Sequence, residues 1–419
     1  MKYLYRVDER SQYQIKSLYY FNVKKDPDKA MAVAEMWARL YSGDVMAQQQ
    51  IVQFAVMRGE ISKALRAYDR ILEIDDSQHE VLQKAAKLLR MEGRFEEAEE
   101  KLLRYAELYP EEVRSYARLV DLYEDMGALD KAKAAVEQSL LIEPDDQATM
   151  LQLANLEKKL GRFEEMERIL TQVLENDPVG MVHANALGAW ASLQQSRGQW
   201  RAARATYDQW RQVAARAGMH PSQATSSYAS SISRLATIAA APAILAELEA
   251  LRQDLTPPND QVLGLCRAQV RVVQGQPDQA LVDLAETEEF IELYKIEILR
   301  SSALMIRGLI AEVDGRHDEA ADFMQQATEL TPTSTLITIA LGRTQRKAGR
   351  LADARETLAT ALRGDPGNPE IKWQLGLTLR ALGRGEEGDR YLREAAEVWR
   401  DADADHPGAT ELRELGFGI

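Results

Sequence analysis

Between His79 and Pro178 the apolar residues come in paired bursts at helical spacing, each pair divided by a glycine. Residues 79–112 read HEVLQKAAKLLRMEGRFEEAEEKLLRYAELYPEE. Leu82, Ala85, Ala86 and Leu89 fall on one face of a first helix. Gly93 follows, where a helix end needs a residue that tolerates positive φ. Glu96 and Glu97 then put negative charge into the first turn of a second helix, where the helix dipole favours it. Ala98, Leu102, Tyr105 and Leu108 form the second apolar stripe, and Pro110 stops it. Ala86 and Ala98 fall where the two helices come closest, so small side chains are required there. One such pair cannot bury both of its faces, and stacking against neighbours completes the core.

The pattern repeats in register. Gly93, Gly127 and Gly161 lie 34 residues apart, as do Pro110, Pro144 and Pro178. This period marks a helix–turn–helix solenoid and predicts an all-α fold. Run backwards and forwards, the register gives units 11–44, 45–78, 79–112, 113–146 and 147–180 after a lead-in over 1–10. The first has Lys25 in place of its turn glycine, with Asp26-Pro27-Asp28 supplying the turn and helix start. A sixth unit, 184–220, holds Trp190, Trp200 and Trp210, read as core anchors. Residues 221–260 break the pattern, with Pro221, Pro242, Pro257 and Pro258 around two short helices. Their Ala and Ser content predicts thin packing, in a flexible joint or a plain irregular repeat. Regularity returns over 261–402, with Gly315, Gly349 and Gly383 at turns and Gly308, Gly342 and Gly376 at a small position. About eleven units result, and 403–419 forms an acidic tail or cap.

The turn glycines, Ala98, Pro110 and the small Ala86 make the chain resemble the tetratricopeptide repeat family. The resemblance implies a right-handed superhelix and a non-catalytic scaffold that binds a protein or peptide on its concave face. In that family ligands lie against set positions of each first helix. Here those positions carry Gln49, Gln53 and Met57, then Gln83, Lys87 and Arg90, then Asp121, Glu124 and Asp125. Next come Asn155, Lys158 and Lys159, and near the end Arg343, Arg346, Lys347, Trp373 and Arg380. The last group has the chemistry to bind a carboxylate or acidic peptide, the alternative being a solvated charged face. Some members grip a terminal carboxylate with a Lys/Asn clamp. The corresponding residues are Gln83, Lys87, Arg118, Ala148 and Gln152, which do not match, so no such clamp is expected. Glu9-Arg10, Tyr19-Tyr20, Asp28-Lys29-Ala30 and Trp37 also resemble the start of repeat regions in some bacterial serine/threonine kinases and cyclases. That implies, as an alternative, a sensory or docking region whose catalytic domain is not in this chain.

Composition narrows the function further. The net charge of −14 opposes nonspecific nucleic-acid binding. No run reaches the length of a membrane span, and MKYLYRVDER lacks the apolar stretch of a signal peptide, so a cytoplasmic protein is expected. Five scattered histidines and one cysteine, Cys266, form no catalytic or metal motif. No enzyme activity, cofactor or metal is therefore expected. Asp401, Asp403 and Asp405 resemble the start of a calcium loop, but His406 and Leu412 stand where its glycine and closing glutamate belong.

Overall fold

The computed structural model describes residues 4–176, 180–256, 259–294 and 296–418. Pro178, Pro257 and Pro258 lie outside them. Among the described residues there are 23 α-helices, two short 3-10 turns (Leu4–Arg6 and Arg252–Asp254) and no strand. The helices pair in chain order. The first four pairs are α1 (Glu9–Asn22) with α2 (Pro27–Leu40), α3 (Val45–Met57) with α4 (Ile61–Ile74), α5 (Glu80–Met91) with α6 (Phe95–Leu108), and α7 (Val113–Asp125) with α8 (Leu129–Ile142). Three more follow: α9 (Gln147–Lys159) with α10 (Phe163–Asn176), α11 (Met181–Ser196) with α12 (Trp200–Arg216), and α13 (Pro221–Ser233) with α14 (Ala241–Leu251). The last four are α15 (Gln261–Val273) with α16 (Pro277–Tyr294), α17 (Glu297–Val313) with α18 (His317–Leu330), α19 (Thr335–Lys347) with α20 (Leu351–Gly364), and α21 (Pro369–Ala381) with α22 (Gly385–Val398). A single helix, α23 (Pro407–Glu414), follows. Contacts divide the chain into two units, Met1–Pro144 and Asp145–Ile419.

In Met1–Pro144 the turns follow the sequence reading. Gly93 has φ 72°, and the amide after it reaches back across the helix end, Arg94 N donating to Leu89 O at 2.9 Å. This closes the first helix of the pair and aims the chain into the second. Lys25, at the glycine-less turn, takes φ 53° itself. Asp26 then caps α2 by accepting from Lys29 N, and Pro27 opens that helix. Ala86 and Ala98 are buried, as the close approach requires. Leu108 differs from expectation: it is exposed at the end of α6, where Ala106 faces inward instead.

In Asp145–Ile419 the small residues have the same use. A Cβ on Gly376 would fall 2.6 Å from Leu392 Cδ2 and 2.9 Å from Gly388 O, so only glycine lets α21 lie this close to α22. The expectation of thin packing at α13 fails. Nine of its thirteen residues are buried, and Tyr228, Ala229 and Ile232 pack with Ile244 and Leu248 of α14 and with Cys266 and Val270 of α15. Serine and alanine there admit close neighbours rather than loosening the contact. Trp200 and Trp210 pack against this cluster as anchors. Cys266 is a buried, unbridged thiol, pushed up by burial.

The run of helix pairs α9–α22 returns on itself within this unit. Gly367 N, between α20 and α21, donates to Lys159 O at 2.6 Å, beside the Gly161 turn. Trp399 Nε1 donates to Ser196 O at 3.0 Å, and Asp403 N to Gly198 O at 3.0 Å. The Asp403 carboxylate accepts from Arg201 N at the start of α12, while Asp405 accepts from Thr237 Oγ1 and pairs with Arg201. The residues that resembled a calcium loop thus bind backbone and side chains of this same unit. Helix α23 ends with the cap of a first helix, Gly416 at φ 86° and Phe417 N donating to Leu412 O.

Candidate functional site

The ligand-facing register places its residues in separate groups. On α3, Gln49 and Gln53 are exposed, and Gln53 Oε1 accepts from Gln50 Nε2. On α5, Gln83, Lys87 and Arg90 line a cleft of about 270 Å³ with Lys84, Arg114 and Arg118. Its remaining walls are Glu80, Ala86, Leu102, Tyr105 and Leu122. The stacking of α5 on α7 creates this cleft, bringing the second and sixth positions of one first helix beside the fifth and ninth of the one before. Five cations and one carboxylate line it, and Glu112, Asp121 and Asp125 stand within 4.0 Å of Arg114, Arg90 and Arg118.

Arg90 is held by Asp125 at 3.0 Å and Asp121 at 3.4 Å, and Arg118 stands 3.6 Å from Asp121. Lys84 reaches Glu80 at 3.6 Å. Lys87 is exposed, and Gln83 Nε2 is buried with no hydrogen-bond partner. A buried donor without a partner is costly. The floor is apolar. Leu102 and Tyr105 are buried, and the Tyr105 hydroxyl is turned to Glu112 at 3.2 Å and pushed up by burial. The arrangement offers an apolar seat under cationic side chains.

In Asp145–Ile419, Asn155 is exposed on α9. Near the chain's end the expected group comes together but is occupied by its own neighbours. Arg343 and Lys347 share Glu312 of α17, at 2.9 and 2.8 Å. Burial raises that carboxyl, but the two cations outweigh it and hold the group below its ordinary range. Arg346 donates to Gln374 Oε1 at 3.1 Å, and burial lowers its guanidinium. Trp373 stacks edge-on against Trp399, with ring centroids 5.6 Å apart. Arg380 lies 3.5 Å from Asp389 and over the Phe417 ring.

Sequence reasoning missed Glu312, Arg114 and Lys84. A signal for the first exists. Glu312 meets residues 31 and 35 further on (343 and 347), and Arg90 meets 121 and 125, again 31 and 35 further on, with the charges reversed. Opposite charges at those separations mark the ladder between successive first helices.

Among the described residues, no helix is long and apolar enough to cross a membrane, and no group of three or more His, Cys, Asp or Glu side chains is placed to hold a metal. Tetratricopeptide repeat family models match residues 113–146 and 148–179, 267–335 and 314–375. No curated protein matches the chain. Among solved structures, a tetratricopeptide repeat protein from Parabacteroides merdae is 15% identical, covering 72% of this chain and 98% of its own, with a TM-score of 0.44. Yeast Tom70 is 13% identical, covering 97% and 94%, with a TM-score of 0.39. MamA from Desulfovibrio magneticus RS-1 is 18% identical, covering 40% and 95%, with a TM-score of 0.33. These are general likenesses and say nothing of what this chain binds. The 34-residue register, the glycine-capped helix pairs and the matched segments agree, and the chain is built from tetratricopeptide repeats.

Proposed function

We propose that this protein is a non-catalytic scaffold that holds an acidic peptide or protein segment in the cleft between α5 and α7. The observation that carries this reading is the five-cation cleft with an apolar floor and an unpartnered inward donor. Lys87 and Arg118 attract the ligand's carboxylates, Gln83 donates to an oxygen, and Leu102, Tyr105 and Leu122 seat one apolar side chain. At about 270 Å³ the cleft suits one anchor residue rather than a large cofactor. Around Arg343 and Arg380 the cations are paired as well, Arg343 and Lys347 with Glu312 and Arg380 with Asp389.

The test is fluorescence anisotropy with labelled acidic peptides that carry one apolar anchor, at several salt concentrations. Lys87→Glu with Arg118→Glu should cost at least about tenfold in affinity, since each charge-assisted contact contributes about 1.5–3 kcal/mol. Binding should weaken as salt rises. Affinity untouched by that double variant refutes the placement, and a panel that binds no better than a scrambled basic control refutes the ligand class.

A further inference from the structure

The join inside Asp145–Ile419 is narrow and made turn to turn. It consists of the Gly367–Lys159 hydrogen bond, the Trp399, Asp403 and Asp405 contacts to residues 196–201 and 237, and a stack of three rings. In that stack His406 lies 4.8 Å from Trp200 and 4.7 Å from Trp399, centroid to centroid. Its hydrogen bonds sit in loops and at helix ends, and the Arg201 side chain is 75% exposed. Water replaces the exposed Arg201 bonds at little cost when the two sides part, while Trp399 and His406, buried in the join, lose part of their cover. The repeats are held by nearest-neighbour interfaces that this parting leaves intact.

The join also covers part of the ligand-facing register. Lys158 of α9 is enclosed there, donating to Ser192 Oγ at 2.7 Å with Asp365 nearby. Both side chains are half-buried, and burial pushes the lysine down and the aspartate up.

We infer that the segment Trp399–His406 is a latch that holds the first two helix pairs of this unit against its last two. Its release opens the array without unfolding any repeat and exposes Lys158. The exposed lysine then meets the acidic ligand class proposed above. That last step rests on the earlier reading, whereas opening is tested without a ligand.

Two variants of the full chain weaken the join by different means. Asp403→Ala with Asp405→Ala removes its carboxylates. Gly367→Ala drives a Cβ to 2.5 Å from Gly161 Cα and from Lys158 O, at a residue whose own φ is not left-handed. The measurements are small-angle scattering, amide exchange, far-UV circular dichroism and amine-reactive labelling of Lys158 read by mass spectrometry. In the wild type the Gly367 and Asp403 amides should exchange about tenfold or more faster than those inside α19 and α21. At least one variant should show a larger radius of gyration, Lys158 labelling raised about tenfold and unchanged helicity. Wild-type scattering and labelling in both variants would overturn the latch. So would helix loss in step with opening in both, or wild-type exchange of the two joining amides in step with α19 and α21.

Discussion

Glu312→Ala removes a carboxylate shared by Arg343 and Lys347, whose nitrogens stand 2.9 and 2.8 Å away. The Glu312 side chain is 8% exposed and that of Arg343 25%, so this contact lies largely out of water. A charge-assisted hydrogen bond of this kind contributes about 1.5–3 kcal/mol. Lys347 is 41% exposed and is discounted to below about 1 kcal/mol. The variant should therefore lose about 2–3 kcal/mol, part of it the cost of leaving Arg343 unpaired. The assay is a double-mutant cycle of Glu312→Ala and Arg343→Ala by urea unfolding, with amide exchange in α17 and α19 as the local readout. A coupling energy of about 1–2 kcal/mol is expected. The reversed triad, Glu312→Arg with Arg343→Glu and Lys347→Glu, should recover most of the loss, because Arg90 with Asp121 and Asp125 has that polarity in the same geometry. The carboxyl sits below its ordinary range when folded. Its contribution is therefore present above the unfolded value of 4.5 and is lost as pH falls through the lower folded one. Additive single variants, or a reversed triad no better than Glu312→Ala, would refute the reasoning.

Three further outcomes are expected. Lys25→Gly should stabilise α1–α2 by about 1 kcal/mol, since a non-glycine residue now bears φ 53°, and an unchanged denaturation midpoint counts against strain there. Ala98→Trp should destabilise by at least about 1–3 kcal/mol, because Ala98 is fully buried at the close approach of α6, and a wild-type midpoint would discredit the repeat register. His406, lowered by burial to about 4 against 6.5, is neutral in the fold; its neighbours Asp403 and Asp405 oppose the shift and Arg413 adds to it. Its contribution is present above pH 6.5 and is lost as pH falls to 4, by up to about 3 kcal/mol. His406→Asn keeps a side-chain acceptor for the cap on Ala409 N, and should flatten that pH dependence in amide exchange of α23; an equally steep profile would place the effect elsewhere.

Much of the fold is decided within one period of sequence. A turn glycine needs left-handed φ, an alanine must sit where two helices touch, and Asp44, Asp146, Ser334 and Asn368 cap first helices, as Asp26 caps the second helix α2, by accepting from amides two or three residues on. These are short-range demands, so the register of eleven helix pairs is legible in the chain. The candidate site is legible in part. Lys87 and Arg90 fall at positions the register assigns, but Arg114, Arg118 and the apolar floor join them through the stacking of α5 on α7.

The tertiary structure alone decided what lies further apart. Gly161 meets Gly367, and Asp403 meets Arg201, because small rotations at every interface from α9 to α22 add up to a return of the unit onto itself. No single interface encodes that sum. The same holds for the patch around Arg343 and Arg380. The sequence supplies its cations, while their partners Glu312, Gln374 and Asp389, and the rings of Trp399 and Phe417 beside Trp373 and Arg380, arrive only through packing. A charged side chain's identity is local, but whether it is free to meet a ligand depends on which neighbour reaches it first.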